Sequence, residues 1–256
     1  AAFVDILSNG RFQLGLGSGY RPYEFEGLGI DFDSRRERQA EAVDLILQGF
    51  HEKRVNSNGK YFQFKMDEGY EIFPQPIQQP HPPFYMGAGT PDSIRLAAQK
   101  GFGLMQGSLP SVEKLSENIE FYKKHMKDAP APLNQNPCFG QFDCVRMVYV
   151  APTDAQAKAE SEAAITYHMK TFLSGDTAGY LGDVTEKDSE SQFAYDNLVD
   201  TTIVHGSPDT VIRRIEELRA IGITSLMLHY PPYYGVQQCL DMLRMFAKEV
   251  MPHVQT

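Results

Sequence analysis

Residues 84–107 read FYMGAGTPDSIRLAAQKGFGLMQG. Phe84 to Gly89 is a short apolar run closed by glycines, which reads as a buried strand. Thr90 suits an N-cap and Pro91 the first helical position. Pro91 to Lys100 then reads as a helix, and Gly103 to Gly107 as a second strand. Strand, helix and strand in so short a stretch form the repeating unit of a parallel sheet covered by helices.

The same rhythm extends in both directions. Downstream, Ser111 caps a helix with Val112, Leu115, Ile119 and Tyr122 on one face, and Phe142 to Val150 is a strand. Thr153 with Gln156 forms a capping box opening a helix to about Phe172. Ser207-Pro208 starts a helix carrying Val211, Ile215 and Leu218, Ser225 to Tyr230 is a strand, and Val236, Leu240, Leu243 and Val250 line a last helix ended by Met251-Pro252. Upstream, Arg11 to Gly19 reads as a buried strand. Ser34 and Glu37 form a second capping box before the apolar face of Val43, Ile46, Leu47 and Phe50. Residues 51–83 are an irregular insertion in which Tyr61 to Phe64 can be a short strand, and the prolines from Pro74 to Pro83 exclude helix. Residues 174–204 break the rhythm with a polar, glycine-bearing stretch.

Five strands with their following helices imply an α/β fold, read as one domain over residues 1–256. A complete (β/α)8 TIM barrel has eight such units. The chain opens on Ala1 to Leu7, the last turns of an amphipathic helix, so the expectation is that the first three βα units lie before Ala1. Such a piece would leave two strand edges open and is expected to aggregate by itself.

Composition excludes several functions. The 256 residues are 42% hydrophobic and 22% charged, as in ordinary globular proteins. A net charge of −9 argues against a nucleic-acid surface and gives no support for an anionic membrane. No apolar run approaches the roughly 18 residues of a membrane span. Cys138, Cys144 and Cys239 show no CxxC pair and suit a reducing, cytoplasmic setting. No metal-site spacing, HExxH, GxSxG or P-loop occurs.

Four stretches could carry chemistry. Gly15-Leu16-Gly17-Ser18-Gly19-Tyr20 lacks the last glycine of the dinucleotide fingerprint GxGxxG. It reads better as a strand end where glycines let a flat ligand approach the backbone, or as a tight turn. Gly87, Gly89, Thr90 and Ser93 mark a helix start able to hold a phosphate, with Asp92 as an unfavourable neighbour. Ser207-Pro208-Asp209-Thr210 is nearly the same chemistry, so spacing alone leaves both as ordinary caps or anion sites. The acid-rich run Arg21 to Asp33 invites a glycosidase reading, but nothing fixes the carboxylate separation. His229, at the end of the last strand, can be an acid, a base, a substrate contact or a packed core histidine.

Four segments in order resemble one family. Residues 8–46, SNGRFQLGLGSGYRPYEFEGLGIDFDSRRERQAEAVDLI, are similar to the region around the fourth barrel strand of bacterial-luciferase-like flavin-dependent monooxygenases. Residues 80–105, 206–230 and 242–254 are similar to its fifth and sixth strands, its approach to the last strand and its terminal helix. The resemblance implies a luciferase-like TIM barrel and reduced FMN at its mouth. The FMN phosphate would sit at Gly89, Thr90 and Ser93, with Gly87 allowing close approach, and Gly17, Ser18, Gly19 and Tyr20 opposite. Ser18 stands where bacterial luciferase has a phosphate-binding arginine, a role Arg21 could take over. Residues 174–204 fall where the family has a mobile lid. The family's known catalytic histidine lies on early strands that are not in this sequence, so the resemblance names no catalytic base here, and His229 stays a candidate by its place alone. The implied activity is a monooxygenase acting on a small organic substrate, fed by a separate flavin reductase and dimeric with itself or a relative. Hydride transfer with a deazaflavin coenzyme and a non-catalytic flavin-binding or partner subunit are the alternatives.

Overall fold

The computed structural model describes residues 1–130, 133–172, 193–230 and 233–255. They form two compact units, Ala1–Leu104 with Phe121–Gln141, and Met105–Glu120 with Phe142–Thr256.

The first unit contains α1 (Ala2–Leu7), β1 (Leu14–Leu16), α2 (Pro22–Gly27), α3 (Arg35–His51), β2 (Asn56–Asn58), β3 (Gln63–Lys65), β4 (Phe84–Gly87) and α4 (Pro91–Gln99). β5 (Gly103–Gln106) and α5 (Val112–Met126) are shared across the boundary. β1 and β4 are parallel, with Leu14 opposite Phe84 and Leu16 opposite Met86. The expected strand from Arg11 to Gly19 thus shrinks to its centre. Fully buried Phe84 packs against Phe102 and Phe50, with ring centroids 5.3 and 5.6 Å away. Buried Asn136 serves the backbone beside it: its Oδ1 accepts from Phe84 N–H, and its Nδ2 donates to the carbonyls of Phe84 and Gly101.

The insertion is held down by carboxylates. β2 and β3 pair antiparallel. Glu41 on α3 accepts the N–H groups of Tyr61 and Phe62, while the Arg38 guanidinium covers the Tyr61 ring at 4.8 Å. Further on, prolines leave few donors, and buried Asp5 takes three of those that remain: Ile77 N–H, Gln78 N–H and the Gln78 amide. The capping box expected at Ser34 does not form. Asp31 accepts the Ser34 N–H instead, Ser34 Oγ turns back to the Asp31 carbonyl, and Glu37 is drawn off to Lys60 and Tyr61.

The second unit is built on β6 (Phe142–Val150), followed by α6 (Asp154–Phe172), α7 (Tyr195–Thr201), β7 (Val204–Gly206), α8 (Pro208–Ala220), β8 (Ser225–His229) and α9 (Val236–Met245). β8 runs parallel to Asp143–Met147 of β6, and β7 parallel to Val148–Val150. Fully buried Arg146 donates to the carbonyls of Gly107 and Pro110, which ties the segment after β5 to β6. The cap at Thr153 forms, accepting Gln156 N–H at 3.1 Å. The last helix does not stop cleanly before Pro252. A π-helical turn (Phe246–Val250) leads into a short α10 (Met251–Val254), where Pro252 occupies a first-turn position that needs no N–H donor.

Residues 174–192 of the expected lid lie outside the described residues. Its remainder belongs to a core in which Tyr195, Leu198 and Ile203 join Met147, Ile165 and Met169. Among the described residues no helix is long and apolar enough to cross a membrane.

Candidate functional site

Parallel pairing of β1 and β4 brings two glycine-bearing strand ends side by side within the first unit. Ligands of open α/β sheets bind at this carboxyl end of the strands. A Cβ placed on Gly17 or Gly89 would meet nothing within 4 Å, and one on Gly87 would only touch the Leu16 carbonyl at 3.7 Å. Gly15, within β1 itself, is equally open. Gly19 differs. Its φ of +77° is left-handed, and a Cβ there would lie 2.6 Å from the Phe25 ring, so Gly19 shapes the loop rather than opening it. Phe25 is itself held edge-on by Phe32 at 5.2 Å. Ser18 and Tyr20 are half-buried on the same loop.

The start of α4 follows directly from Gly89. Thr90 is the N-cap in extended conformation, and its N–H donates to Ser93 Oγ at 3.1 Å. The hydroxyls of Thr90 and Ser93 lie 2.9 Å apart, and Ser93 Oγ donates to the Thr90 carbonyl. Each hydroxyl carries one proton. With the Ser93 proton on the carbonyl, Thr90 donates the bond between the two hydroxyls, and an anion would have to draw the Thr90 proton away from Ser93. Asp92 does not oppose this, because its carboxylate is paired with Arg95 on the helix flank at 2.9 Å.

The similar start of α8 is already filled. Asp154 accepts Ser207 N–H at 2.6 Å and the Thr210 hydroxyl at 3.1 Å. The Ser207 backbone bond, helped by the Ser207 and Thr210 side chains, holds the Asp154 carboxyl below its ordinary range. An internal carboxylate thus takes the anion position at α8. Among the described residues none does so at α4.

The acidic run is structural where its contacts are drawn. Arg21 bonds Tyr23 and Glu24 and covers the Tyr20 ring at 5.2 Å, so its charge is engaged beside α2. Asp31 caps the approach to α3.

In the second unit His229 ends β8 half-buried, opposite Met147. The His168 ring lies edge-on to it at 5.8 Å, and burial pushes both histidines below their ordinary pKa. A separate histidine, His205, is wholly buried. Its Nδ1 meets Ser161 Oγ at 3.0 Å, its Nε2 has no hydrogen-bond partner among the described residues, and burial pushes its pKa down to about 3. Among the described residues no group of three or more His, Cys, Asp or Glu side chains is placed to hold a metal ion.

The family profile described as luciferase-like monooxygenase matches residues 1–225. The chain belongs to this luciferase-like family. A 5,10-methylenetetrahydromethanopterin reductase from Archaeoglobus fulgidus is 26% identical over 98% of the chain and 76% of its own length. The oxygenase component of a flavin-dependent trigonelline monooxygenase from Acinetobacter baylyi is 25% identical over 98% of the chain and 70% of its own. The crystal structure of monooxygenase RslO1 from Streptomyces bottropensis superposes with a TM-score of 0.74 at 23% identity, covering 98% of this chain and 71% of that one. That likeness shows the fold: the α/β architecture is of the luciferase-like type. Membership also makes the chain part of a family of flavin-dependent oxidoreductases, with both a monooxygenase and a reductase among its relatives.

Proposed function

We propose that this luciferase-like chain binds reduced FMN through the paired strand ends of β1 and β4 and the start of α4, and oxygenates a small organic substrate. The observation carrying this reading is the difference between two chemically similar helix starts: Asp154 fills one, and open glycines front the other. The residues fit a flavin phosphate. Gly87 and Gly89 let it approach the backbone, Thr90 and Ser93 supply hydroxyls, and Gly17, Ser18, Gly19 and Tyr20 form the facing loop. When bound, the reduced flavin supplies the two electrons that oxygen chemistry requires. The chain's own part is to fix the phosphate, orient the ring system and exclude water.

A separate flavin reductase would supply the coenzyme, in keeping with a relative that is the oxygenase component of its system. The reading includes assembly as a homo- or heterodimer and a cytoplasmic setting, where the three buried free thiols stay reduced. His229 is the candidate acid–base group. The reductase relative favours a second reading, hydride transfer with a deazaflavin coenzyme at the same phosphate site.

Anaerobic titration with reduced FMN and, in parallel, with the reduced deazaflavin tests both. Tighter binding of FMN supports the oxygenase. Preference for the deazaflavin replaces it with the dehydrogenase or reductase. Binding of neither refutes the site and leaves a non-catalytic partner subunit.

A further inference from the structure

We propose that Phe25 is a positioning residue for the coenzyme phosphate: its ring fastens the 17–20 loop to α3 and so holds that loop against a phosphate at the start of α4. The inference rests on the flavin reading above and deepens it by adding a residue that acts through Gly19.

The segment between β1 and α3 has little of its own to hold it in place. α2 buries no residue, and Tyr23 and Leu28 are 61% and 75% exposed. The ion pair of Arg21 with Glu24 lies within the segment. Segments with so little buried surface open at low free-energy cost.

Phe25 joins this segment to its surroundings. Its ring lies so close to Gly19 that a Cβ there would come within 2.6 Å of it, an approach that glycine permits. The same ring meets Phe32 edge-on, with centroids 5.2 Å apart and planes at 83°. Phe32 is held in turn by the first residue of α3. The Arg35 guanidinium covers its ring at 3.7 Å and donates to its carbonyl at 2.8 Å. α3 is anchored by buried Val43 and Leu47. A continuous line of contacts therefore runs from the core through α3, Phe32 and Phe25 to Gly19. The Phe25 carbonyl also accepts the N–H groups of Leu28 and Ile30, which folds the backbone that carries the ring.

The loop leaves β1 beside β4: a Cβ on Gly87 would lie 3.7 Å from the Leu16 carbonyl. A loop already held in its binding geometry need not be ordered when the ligand arrives, whereas a released loop weakens binding by the cost of ordering it. Because the loop's contact is with the phosphate, that cost falls on ligands that carry one.

Reduced FMN and reduced riboflavin share a ring system and differ by the phosphate. Anaerobic titration of the full chain is expected to show the parent binding FMN more tightly than riboflavin. Phe25→Leu loses the ring contacts with Gly19 and Phe32. It should weaken FMN by roughly tenfold or more, the worth of one charge-assisted hydrogen bond, and leave riboflavin affinity unchanged. A general loss of structure would weaken both ligands. Phe32→Leu leaves Phe25 in place without its support and should show the same phosphate-specific loss; it decides the question if Phe25→Leu does not fold. If the chain prefers the deazaflavin coenzyme, that coenzyme and its phosphate-free form replace the pair. A parent that binds FMN no better than riboflavin refutes the phosphate site, and this inference with it. A parent that discriminates, with a folded variant that discriminates equally well or loses both ligands alike, overturns the positioning role alone.

Discussion

Alanine substitutions at three glycines separate a ligand surface from a structural turn. A Cβ on Gly17 or Gly89 meets nothing within 4 Å, and neither residue is left-handed. Gly17→Ala and Gly89→Ala should therefore fold normally. Restricting the unfolded chain should even raise stability by about 0.4–1 kcal/mol, a melting shift of roughly 1–4 °C for a chain of this size. A methyl group there still occupies the space through which a phosphate would reach the backbone. Loss of one charge-assisted hydrogen bond costs about 1.5–3 kcal/mol, or about 10- to 150-fold in Kd.

Gly19→Ala should behave in the opposite way. The left-handed backbone costs about 1–2 kcal/mol, and overlap with the Phe25 ring at 2.6 Å adds about 1–3 kcal/mol of repacking. Its melting temperature should fall clearly. Thermal melts and anaerobic titration with reduced FMN read the two effects separately, and both coenzymes under consideration carry a phosphate, so the test does not depend on the choice between them. Wild-type flavin affinity in both Gly17→Ala and Gly89→Ala would refute the backbone cradle. A Gly19→Ala variant as stable as the parent would refute the steric argument.

Three further outcomes follow from buried and capping groups. Asp154→Asn should lose about 1 kcal/mol at pH 7, the worth of a helix cap. Because the folded carboxyl titrates below its ordinary value, that stability is present above about pH 4 and is lost as pH falls through the folded value, so the gap to the parent should close in acid urea melts; a gap of constant size would exclude the mechanism. Between about 3 and the ordinary histidine range the unfolded chain binds a proton that buried His205 does not. Stability should therefore fall on acidification through this window, by at most roughly 1.4 kcal/mol per pH unit, and His205→Gln should flatten the slope; parallel urea midpoints for the two proteins would contradict this. Arg146→Met leaves the Gly107 and Pro110 carbonyls without their donor and should cost roughly 3 kcal/mol, with Arg146→Lys unable to restore the fork; a chemical melt matching the parent would disprove the clamp.

What could be read from the residues was set by the range of the interactions. Five strand–helix units are visible because apolar runs, caps and glycines are local signals, and each of those strands is found, though β1 is only three residues long. α7 and β7 were missed because seven and three residues are too short for a period to show, and Tyr195, Leu198 and Ile203 are identified as core only by the residues that cover them. The Ser34 box failed for a similar reason: Asp31 and Lys60, one just outside the motif and the other far from it, compete for its two halves. The candidate site shows the same limit most clearly. In sequence, Gly89-Thr90-Pro91-Asp92-Ser93 and Gly206-Ser207-Pro208-Asp209-Thr210 are near-copies, and no local property ranks one above the other. What distinguishes them is a carboxylate on α6, brought to α8 by folding, and its absence at α4 among the described residues. An anion site is thus defined by which helix starts the protein leaves unfilled, and Asp154→Asn probes this directly: with its internal anion gone, α8 should gain affinity for inorganic phosphate that the parent lacks there, whereas no gain would mean that the glycine-fronted geometry of α4, and not the vacancy alone, makes the site.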